Sequence, residues 1–330
     1  MDQIPVPSGY EAALTDSAYF VYKNGGYLRI FGSDRVDFLQ RQTTNDMRNL
    51  KPGQTLLNVL TSPTARILDV LYLFEEEQSN SDAADQSAAI SALTLPGKGP
   101  DMFHYLKSRI FFMDKVSLTD QSEAFLQVDL VGPKAKLVLQ NFGILDSPSI
   151  NWYLKLHLSD FDMQVLELQH GIGSGYRLIL PTEAANRLLD LLKRLNIPEI
   201  SEQTHDILRI EAGFPASGHE LTDSFTPLET GLRLAVSDTK GCYTGQEVIA
   251  RQVTYDKINQ SLCGLRFTTD FPDGSGISAN DKPVGQLTSI AKSPRFGNIG
   301  LAIIKRPYHT PRTVVQIGPS QALVQDLPFR

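Results

Sequence analysis

The chain has 330 residues, which is enough for about two domains with a core that folds unaided. A formal charge of −6 argues against a general nucleic-acid surface, and two cysteines are too few for a disulfide framework. No metal-ligand spacing of Cys and His is present, and no apolar run reaches the roughly 20 residues of a membrane helix. Because Met1 to Tyr10 also lacks the pattern of a signal peptide, we expect a cytoplasmic protein without a metal, membrane or nucleic-acid partner.

The first half of the chain predicts short strands and helices in alternation. Tyr19 to Phe31 has the pattern of a β-hairpin with its turn at Asn24-Gly25-Gly26, and a helix follows Gly32-Ser33-Asp34. The pattern predicts further strands at 56–60, 67–74, 90–95, 111–118 and 125–131, and helices at 101–110 and 134–141. Residues 75–89 are polar and acidic, which predicts a mobile loop.

Asp69 is an unusual residue in the strand predicted at 67–74. Apolar residues alternate on both sides of it, so this strand is expected to be buried on both faces. A carboxylate in such a place requires a partner or a functional reason.

The second half predicts a similar module and then a small barrel. Strands are expected at 164–168 and 176–180, a plain hairpin turn at the glycine-rich residues 171–175, and a helix at 183–195. Residues 207–215 form an apolar element in which Arg209 and Glu211 are either a charge pair on a solvated face or functional groups. Evenly spaced strands from 262 to 304 predict the barrel. We therefore expect an α+β fold, with one domain at 1–255 and a second at 256–330.

The octapeptide Lys240 to Glu247, Lys-Gly-Cys-Tyr-Thr-Gly-Gln-Glu, holds the densest set of reactive groups in the chain. Thr244 and Glu247 have the spacing of a capping box, which predicts a helix from about Gly245 with Glu247 paired to Arg251. A helix N-terminus and the ammonium of Lys240 would both favour a thiolate at Cys242. The alternative interpretation is that Cys242 is a small hydrophobic residue buried in the core.

This octapeptide resembles the signature of the YgfZ-type folate-binding proteins, which are relatives of the glycine-cleavage aminomethyltransferases. Gly32 to Asp46, Arg-x-Glu-Ala-Gly at 209–213 and the segment 226–232 also resemble segments of that superfamily. The resemblance runs from about Gly32 to about Ile304.

The resemblance implies a T-protein-like fold with ferredoxin-like lobes, antiparallel sheets with helices and a C-terminal β-barrel. It implies tetrahydrofolate in a central cavity and a role in supporting iron–sulfur enzymes, with client proteins or assembly factors as partners. The implied active groups are Cys242, facing the cavity, and Lys240. The implied folate-binding residues are Arg209, Glu211, Tyr243, Gln246, Glu247 and Asp69.

The alternative is an aminomethyltransferase of the glycine-cleavage or sarcosine type with Asp69 as its catalytic carboxylate. The enzymes carry two adjacent aspartates, whereas Val70 follows Asp69 here, with Ala65 and Arg66 in place of two glycines. No acid occurs between His170 and Arg177, where the enzymes place a glutamate that binds the pteridine. These departures favour an accessory protein over a folate-dependent one-carbon transferase. Two cysteines cannot supply the four thiolates of a cluster.

Overall fold

The computed structural model describes residues 5–76, 89–145, 151–158, 160–168, 175–268, 271 and 274–330. The strands are β1 (Ala18–Tyr22), β2 (Gly26–Phe31), β3 (Thr55–Thr61), β4 (Ile67–Glu75), β5 (Ile90–Thr94), β6 (Ser117–Asp120), β7 (Phe125–Val131), β8 (Tyr153–Leu158), β9 (Phe161–Leu168), β10 (Gly175–Pro181), β11 (Gln260–Phe267), β12 (Gly276–Ala279), β13 (Lys282–Ser293), β14 (Gly297–Lys305), β15 (Val314–Ile317) and β16 (Ser320–Gln325). The helices are α1 (Tyr10–Thr15), α2 (Arg35–Gln42), α3 (Gly99–Ser108), α4 (Ala135–Asn141), α5 (Ala185–Arg194), α6 (Glu202–Glu211) and α7 (Gln246–Thr254). Two antiparallel sheets and a closed barrel confirm the predicted fold class.

The first sheet has the strand order β3-β4-β5-β2-β6. Leu71 and Leu73 of β4 pack with Phe38 of α2 and Leu106 of α3, while Val70 packs on the opposite face. Because side chains along a strand alternate between faces, β4 is buried on both of them, as its apolar sequence predicts.

The second sheet has the strand order β1-β7-β10-β9-β8, and α4 and α5 pack against one of its faces. Its other face meets the first sheet, where Tyr27 and Phe74 pack with Leu166 and Ile179. The two sheets therefore share an aromatic layer, and the space beside that layer becomes the site described below.

The predicted hairpin at Tyr19–Phe31 is wrong. Strand β1 pairs with β7 in the second sheet, and β2 pairs with β5 and β6 in the first, so the chain crosses between the sheets at Gly25-Gly26. Gly26 allows β2 to approach β5 closely rather than forming a tight turn, because a Cβ on Gly26 would lie 1.9 Å from Thr94 Oγ1. A hairpin pattern does not reveal which neighbour each strand will find.

The strand predicted at 111–118 is also largely wrong, since β6 begins only at Ser117. The apolar residues that suggested it form an exposed turn in which the Asp114 carboxylate accepts the Phe111 N–H at 3.0 Å. That carboxylate also pairs with Arg41 at 2.8 Å, which holds the turn against α2. The remaining predicted elements are present with shifts of a few residues.

The barrel closes in the order β11-β14-β13-β12-β15-β16, and it packs against α6 and α1. Ile207 and Ile210 of α6 contact the barrel residues Ala291 and Leu301. Helix α6 therefore lies between the barrel and the second sheet. Residues 77–88 and 169–174, which hold most of the predicted acidic loop and of the glycine-rich turn, lie outside the described residues.

Candidate functional site

A cavity of about 660 Å³ lies between the two sheets and is closed on one side by α6. This volume is typical of small-molecule sites, which span roughly 300–1,000 Å³. Apolar and aromatic side chains from both sheets form much of its wall, namely Phe20, Tyr22, Leu57, Val70, Tyr72 and Leu95. Such a wall suits a flat aromatic ligand whose polar edge meets a few fixed groups.

The polar centre of the cavity is an ion pair between Asp129 of β7 and Arg177 of β10. Arg177 donates from Nε to Oδ1 at 2.7 Å and from Nη2 to Oδ2 at 2.9 Å, which is bidentate geometry. Burial alone would lower the pKa of Arg177, but the Asp129 carboxylate outweighs that effect and raises it. The guanidinium is also 4.4 Å from the centre of the Tyr22 ring.

Tyr22 and His205 extend this pair across the cavity. The Tyr22 hydroxyl donates to Asp129 Oδ2 at 3.0 Å and lies 3.4 Å from His205 Nε2. Burial, followed by the nearby carboxylate, raises the pKa of Tyr22, so its hydroxyl keeps its proton. Burial lowers the pKa of His205, whose ring stacks on Phe20 with centroids 4.2 Å apart. The site therefore offers a neutral imidazole, a phenol and a buried carboxylate.

Arg209 lines the same cavity, but its guanidinium is held by protein groups. It donates to Asp206 at 2.6 Å, to Glu220 at 3.0 Å, to Ser289 at 2.8 Å and to the Phe214 carbonyl at 3.2 Å. The interpretation of Arg209 as part of a solvated charge pair is thus excluded, because only 4% of the residue is exposed.

Glu211 is placed away from the cavity. Its Oε1 accepts from Tyr10 at 2.6 Å and from Ser293 at 2.5 Å, which ties α6 to α1 and to the barrel. Glu211 does not line the cavity, although it was predicted to bind folate, because its position in the helix turns it towards the barrel. Its second oxygen is buried with no hydrogen-bond partner among the described residues.

Asp69 is fully buried beside the cavity wall but does not line it. Its Oδ1 accepts the N–H groups of Val70 at 2.8 Å and Leu95 at 3.0 Å, while Oδ2 has no partner among the described residues. Burial raises the pKa of Asp69 to about 8 against the lowering effect of those two donors. Alternation along β4 gives the cavity face to Val70, so Asp69, which was predicted to bind folate, is not placed at the cavity surface.

Lys240 is turned into the protein. Its ammonium donates to the carbonyls of Thr43 and Asn45, both at 2.6 Å, and lies 5.0 Å from the Tyr243 ring centre. Burial lowers the pKa of Lys240 to about 8. The Lys240 ammonium, which was expected to favour a thiolate at Cys242, is instead held by these two carbonyls after α2. Lys240 thereby anchors the octapeptide to the segment that follows α2.

Cys242 is exposed, which excludes the interpretation as a core residue. None of the residues 240–247, all of which the structure describes, lines the cavity. The prediction that Cys242 faces the cavity is therefore corrected. The octapeptide instead packs on the turn between β3 and β4, where a Cβ on Gly245 would lie 2.7 Å from the Ser62 carbonyl oxygen. Gly245 therefore holds the octapeptide against this turn, while Cys242 lies on the surface.

The other octapeptide residues have structural contacts. Tyr243 is buried, and burial followed by Asp238 raises its pKa to about 12. Gln246 donates to the Lys240 carbonyl at 3.4 Å. Glu247 pairs with Arg251 at 2.6 Å on the surface, which confirms the predicted i,i+4 pair.

The predicted capping box is absent from α7. Gly245 at φ +84° is the N-cap, and no side chain caps the helix. Thr244 instead accepts a hydrogen bond from Thr61 through its carbonyl oxygen at 2.6 Å.

Sequence reasoning missed Asp129, Arg177, Tyr22 and His205. A usable signal was present, because Asp129 and Arg177 each interrupt an apolar strand just as Asp69 does. Only the pairing of β7 with β10 brings them opposite each other.

Fold and site together define an α+β protein in which a small-molecule cavity is enclosed by two antiparallel sheets and by α6, the helix that packs against the barrel. The family model of the GCVT N-terminal domain matches residues 10–240, and the chain belongs to that family. It is 32% identical over 312 residues to a chloroplastic protein of Arabidopsis thaliana, and the alignment covers 92% of this chain and 69% of that protein. The name of that protein assigns it provisionally to the transferases. The chain is also 26% identical over 324 residues to an aminomethyltransferase of Listeria monocytogenes, covering 95% and 85%.

A solved structure has the same fold. The glycine cleavage system aminomethyltransferase T of Bartonella henselae superposes with a TM-score of 0.83 at 21% identity, covering 97% of this chain and 88% of that one. Among the described residues, no helix is long and apolar enough to cross a membrane. Within the same ranges, no group of three or more His, Cys, Asp or Glu side chains is placed to hold a metal ion.

Proposed function

We propose that the chain is a cytoplasmic YgfZ-type accessory protein, which binds tetrahydrofolate in the cavity between the sheets and supports iron–sulfur enzymes. The observation that carries the folate part is the buried Asp129–Arg177 pair inside an aromatic-walled cavity of about 660 Å³. Membership of the GCVT family and the relatives named aminomethyltransferase support the same ligand class.

The residues of the cavity fit a reduced folate. The pteridine edge presents N–H donors, and the Asp129 carboxylate keeps acceptor capacity beyond its bonds to Arg177 and Tyr22. Phe20 and Tyr72 offer apolar surface to the rings. Lys23 lies at the cavity wall in an exposed ion pair with Glu202 at 3.0 Å, and its ammonium can exchange that carboxylate for the glutamate tail of a folate.

The position of Val70 favours binding without aminomethyl transfer. If the paired aspartates of the enzymes occupy 69 and 70, strand alternation gives the cavity face to the second of them. Here an apolar side chain takes that place, and Asp69 on the other face is held by two backbone N–H groups. In the alternative function, Asp69 would have to reach the cavity as the catalytic carboxylate of an aminomethyltransferase, a position that this arrangement disfavours.

The iron–sulfur role is supported by the octapeptide. Cys242 is exposed at a surface separate from the cavity, so a partner protein can reach the thiol while folate is bound. Lys240 and Tyr243 have a structural role, because the buried Lys240 ammonium and the buried Tyr243 ring hold the octapeptide in place. With two cysteines in the chain, the cluster itself would stay with the client.

Calorimetric titration with tetrahydrofolate tests the proposal. We expect binding to the native chain and an affinity about 10- to 100-fold weaker in Asp129→Asn, since hydrogen bonds to a charged group contribute about 1.5–3 kcal/mol. Asp162→Asn is the matched control, because this exposed aspartate lies on β9 outside the cavity. Circular dichroism must first show that both variants are folded.

Two outcomes would contradict the proposal. Absence of tetrahydrofolate binding by the native chain would remove the folate part. Formation of methylene-tetrahydrofolate from tetrahydrofolate and an aminomethylated lipoyl carrier would favour the transferase. Cys242→Ala should leave folate affinity unchanged while abolishing the support of an iron–sulfur enzyme in cells that lack the chain.

A further inference from the structure

Three consecutive large apolar side chains are exposed at the turn that follows α3. Phe111, Phe112 and Met113 expose 65%, 98% and 75% of their surface. Single exposed apolar residues are common on proteins, whereas a contiguous exposed group marks a surface that binds something. We name residues 107–115 the apolar tip.

The apolar tip is held in a defined conformation. Asp114 Oδ2 accepts the N–H of Phe111 at 3.0 Å, and the Asp114 N–H donates to the Phe111 carbonyl at 2.9 Å. Both carboxylate oxygens also accept from Arg41 Nη2 at 2.8 Å. The three apolar side chains are thus presented by a fixed turn, which lowers the entropy cost of burying them against another surface.

Cations flank the tip. Lys107, Arg109 and Lys115 are exposed, and none of them forms an ion pair with a described residue. Two acids contact this segment: Asp114, which pairs with Arg41, and Asp34, whose carboxylate accepts the Lys115 N–H at 2.9 Å. An excess of positive charge therefore surrounds the tip on a chain whose formal charge is −6.

We propose that the apolar tip is a peripheral membrane-docking site that inserts into the interface of a bilayer containing anionic lipid. Exposed Phe side chains flanked by Lys and Arg are the pattern of interfacial binding, with the cations held by the negative surface potential. The almost complete exposure of Phe112 indicates a protruding turn, which a bilayer can accept without a preformed groove. Three side chains give reversible attachment, unlike a membrane-spanning helix.

The variant Phe112→Trp provides a direct probe. The chain has one tryptophan, Trp152, which is 1% exposed, so we expect its emission not to change when lipid is added. Vesicles of phosphatidylcholine mixed with phosphatidylglycerol should shift the new indole emission to shorter wavelength and allow quenching by brominated lipid. Vesicles of phosphatidylcholine alone should give a much smaller change, because the basic residues then lack anionic headgroups.

Co-sedimentation with the same vesicles separates the contribution of the aromatic side chains to binding from that of the basic side chains. Phe111→Ser with Phe112→Ser should lower the partition coefficient about tenfold or more, since two aromatic side chains no longer leave water. Lys107→Glu with Arg109→Glu should abolish the preference for anionic lipid. Leu137→Ser, at an exposed leucine of α4, is the matched control and should not change partitioning.

The proposal is overturned if the native chain does not partition into the anionic vesicles or if the double serine variant partitions equally well. It is also overturned if the native chain self-associates through the tip without lipid and the serine variant does not, because the occupant is then a second copy. Since these side chains make few intramolecular contacts, the serine variants should keep the native thermal midpoint, and this check excludes misfolding.

Discussion

The chemistry of the cavity depends on one buried ion pair. Asp129 and Arg177 satisfy each other in bidentate geometry, and Tyr22 adds a third hydrogen bond to the carboxylate. Removing one member of such a pair leaves an uncompensated charge at a cost of roughly 3–5 kcal/mol. A ligand is therefore expected to share the carboxylate with Arg177 rather than to displace the guanidinium.

The two cysteines should differ widely in reactivity. Cys242 is exposed, whereas Cys263 is 6% exposed in the barrel, where burial and then Asp326 raise its pKa to about 12. A thiol reagent should modify Cys242 rapidly and Cys263 on the order of 10³-fold more slowly, because the Cys263 thiol is largely buried and its raised pKa keeps it protonated. Mass spectrometry of the time course measures both rates.

The variants Cys242→Ala and Cys263→Ala identify which thiol is which. Cys242→Ala should remove the rapid modification and keep the thermal midpoint, since substitutions of exposed residues stay within about 0.5 kcal/mol. Rapid modification of both cysteines in the native chain would show that the barrel opens far more easily than its closed hydrogen-bonding pattern indicates.

The sequence indicates the individual residues of the site better than their grouping. Arg209 was expected at the ligand, and it lines the cavity. Glu211, two residues further along, was assigned with it, but it faces the barrel because residues two apart on a helix point in different directions. Asp129 and Arg177 are 48 residues apart in the chain, and only sheet pairing brings them together. Local patterns do not contain that information.

At the scale of the element, β4 shows how one residue of register decides what faces a cavity. Val70 faces the cavity, and Asp69 accepts hydrogen bonds from its own strand and from the end of β5. The strands and helices were largely predictable because apolar periodicity is local. The hairpin at Tyr19–Phe31 was not, because tertiary pairing placed β1 and β2 in different sheets.

The buried Asp69 should make the stability of the first sheet depend on pH. Burial raises its pKa from 3.8 to about 8, so the native state holds a proton that the unfolded chain has released above pH 4 or so. The free energy of unfolding should therefore fall as the pH rises through this window, by roughly 1.4 kcal/mol per pH unit from this group alone. Urea unfolding at a series of pH values measures the slope.

Asp69→Asn isolates that contribution. The amide oxygen can still accept the two backbone N–H groups, but it does not titrate, so the slope between about pH 4 and 8 should become flatter. Asp190→Asn on the exposed side of α5 is the control and should leave the slope unchanged. An identical slope in Asp69→Asn and the native chain would show that Asp69 is ionised in the folded protein.

At the scale of the whole molecule, α6 joins the cavity to the barrel. Arg209 bonds to Glu220 and to Ser289 of β13, and Glu220 accepts from Ser289 at 2.7 Å. Glu220 is 0% exposed, so this carboxylate depends on its partners in place of water. A ligand that orders α6 would also stabilise the barrel through the hydrogen bonds of Arg209 to Glu220 and Ser289.

Arg209→Met should weaken the attachment of the barrel. The variant leaves Glu220 buried without its cation, which costs roughly 3–5 kcal/mol, and it removes the bond to Ser289. Trp152 fluorescence reports on the second sheet, and Cys263 modification reports on the barrel. In the native chain both signals should change at one urea concentration. In Arg209→Met, Cys263 should become reactive at a lower urea concentration than the one at which Trp152 emission changes.

Two further variants show whether the buried charge is the cause. Arg209→Met combined with Glu220→Leu should recover much of the lost stability, because an apolar pair of similar volume avoids the uncompensated carboxylate. Arg187→Met, which breaks the exposed pair with Asp160, should change the free energy of unfolding by no more than about 0.5 kcal/mol. If Arg209→Met keeps coincident transitions at the native midpoint, apolar packing of α6 alone holds the barrel, and the cavity and barrel are not coupled through Arg209.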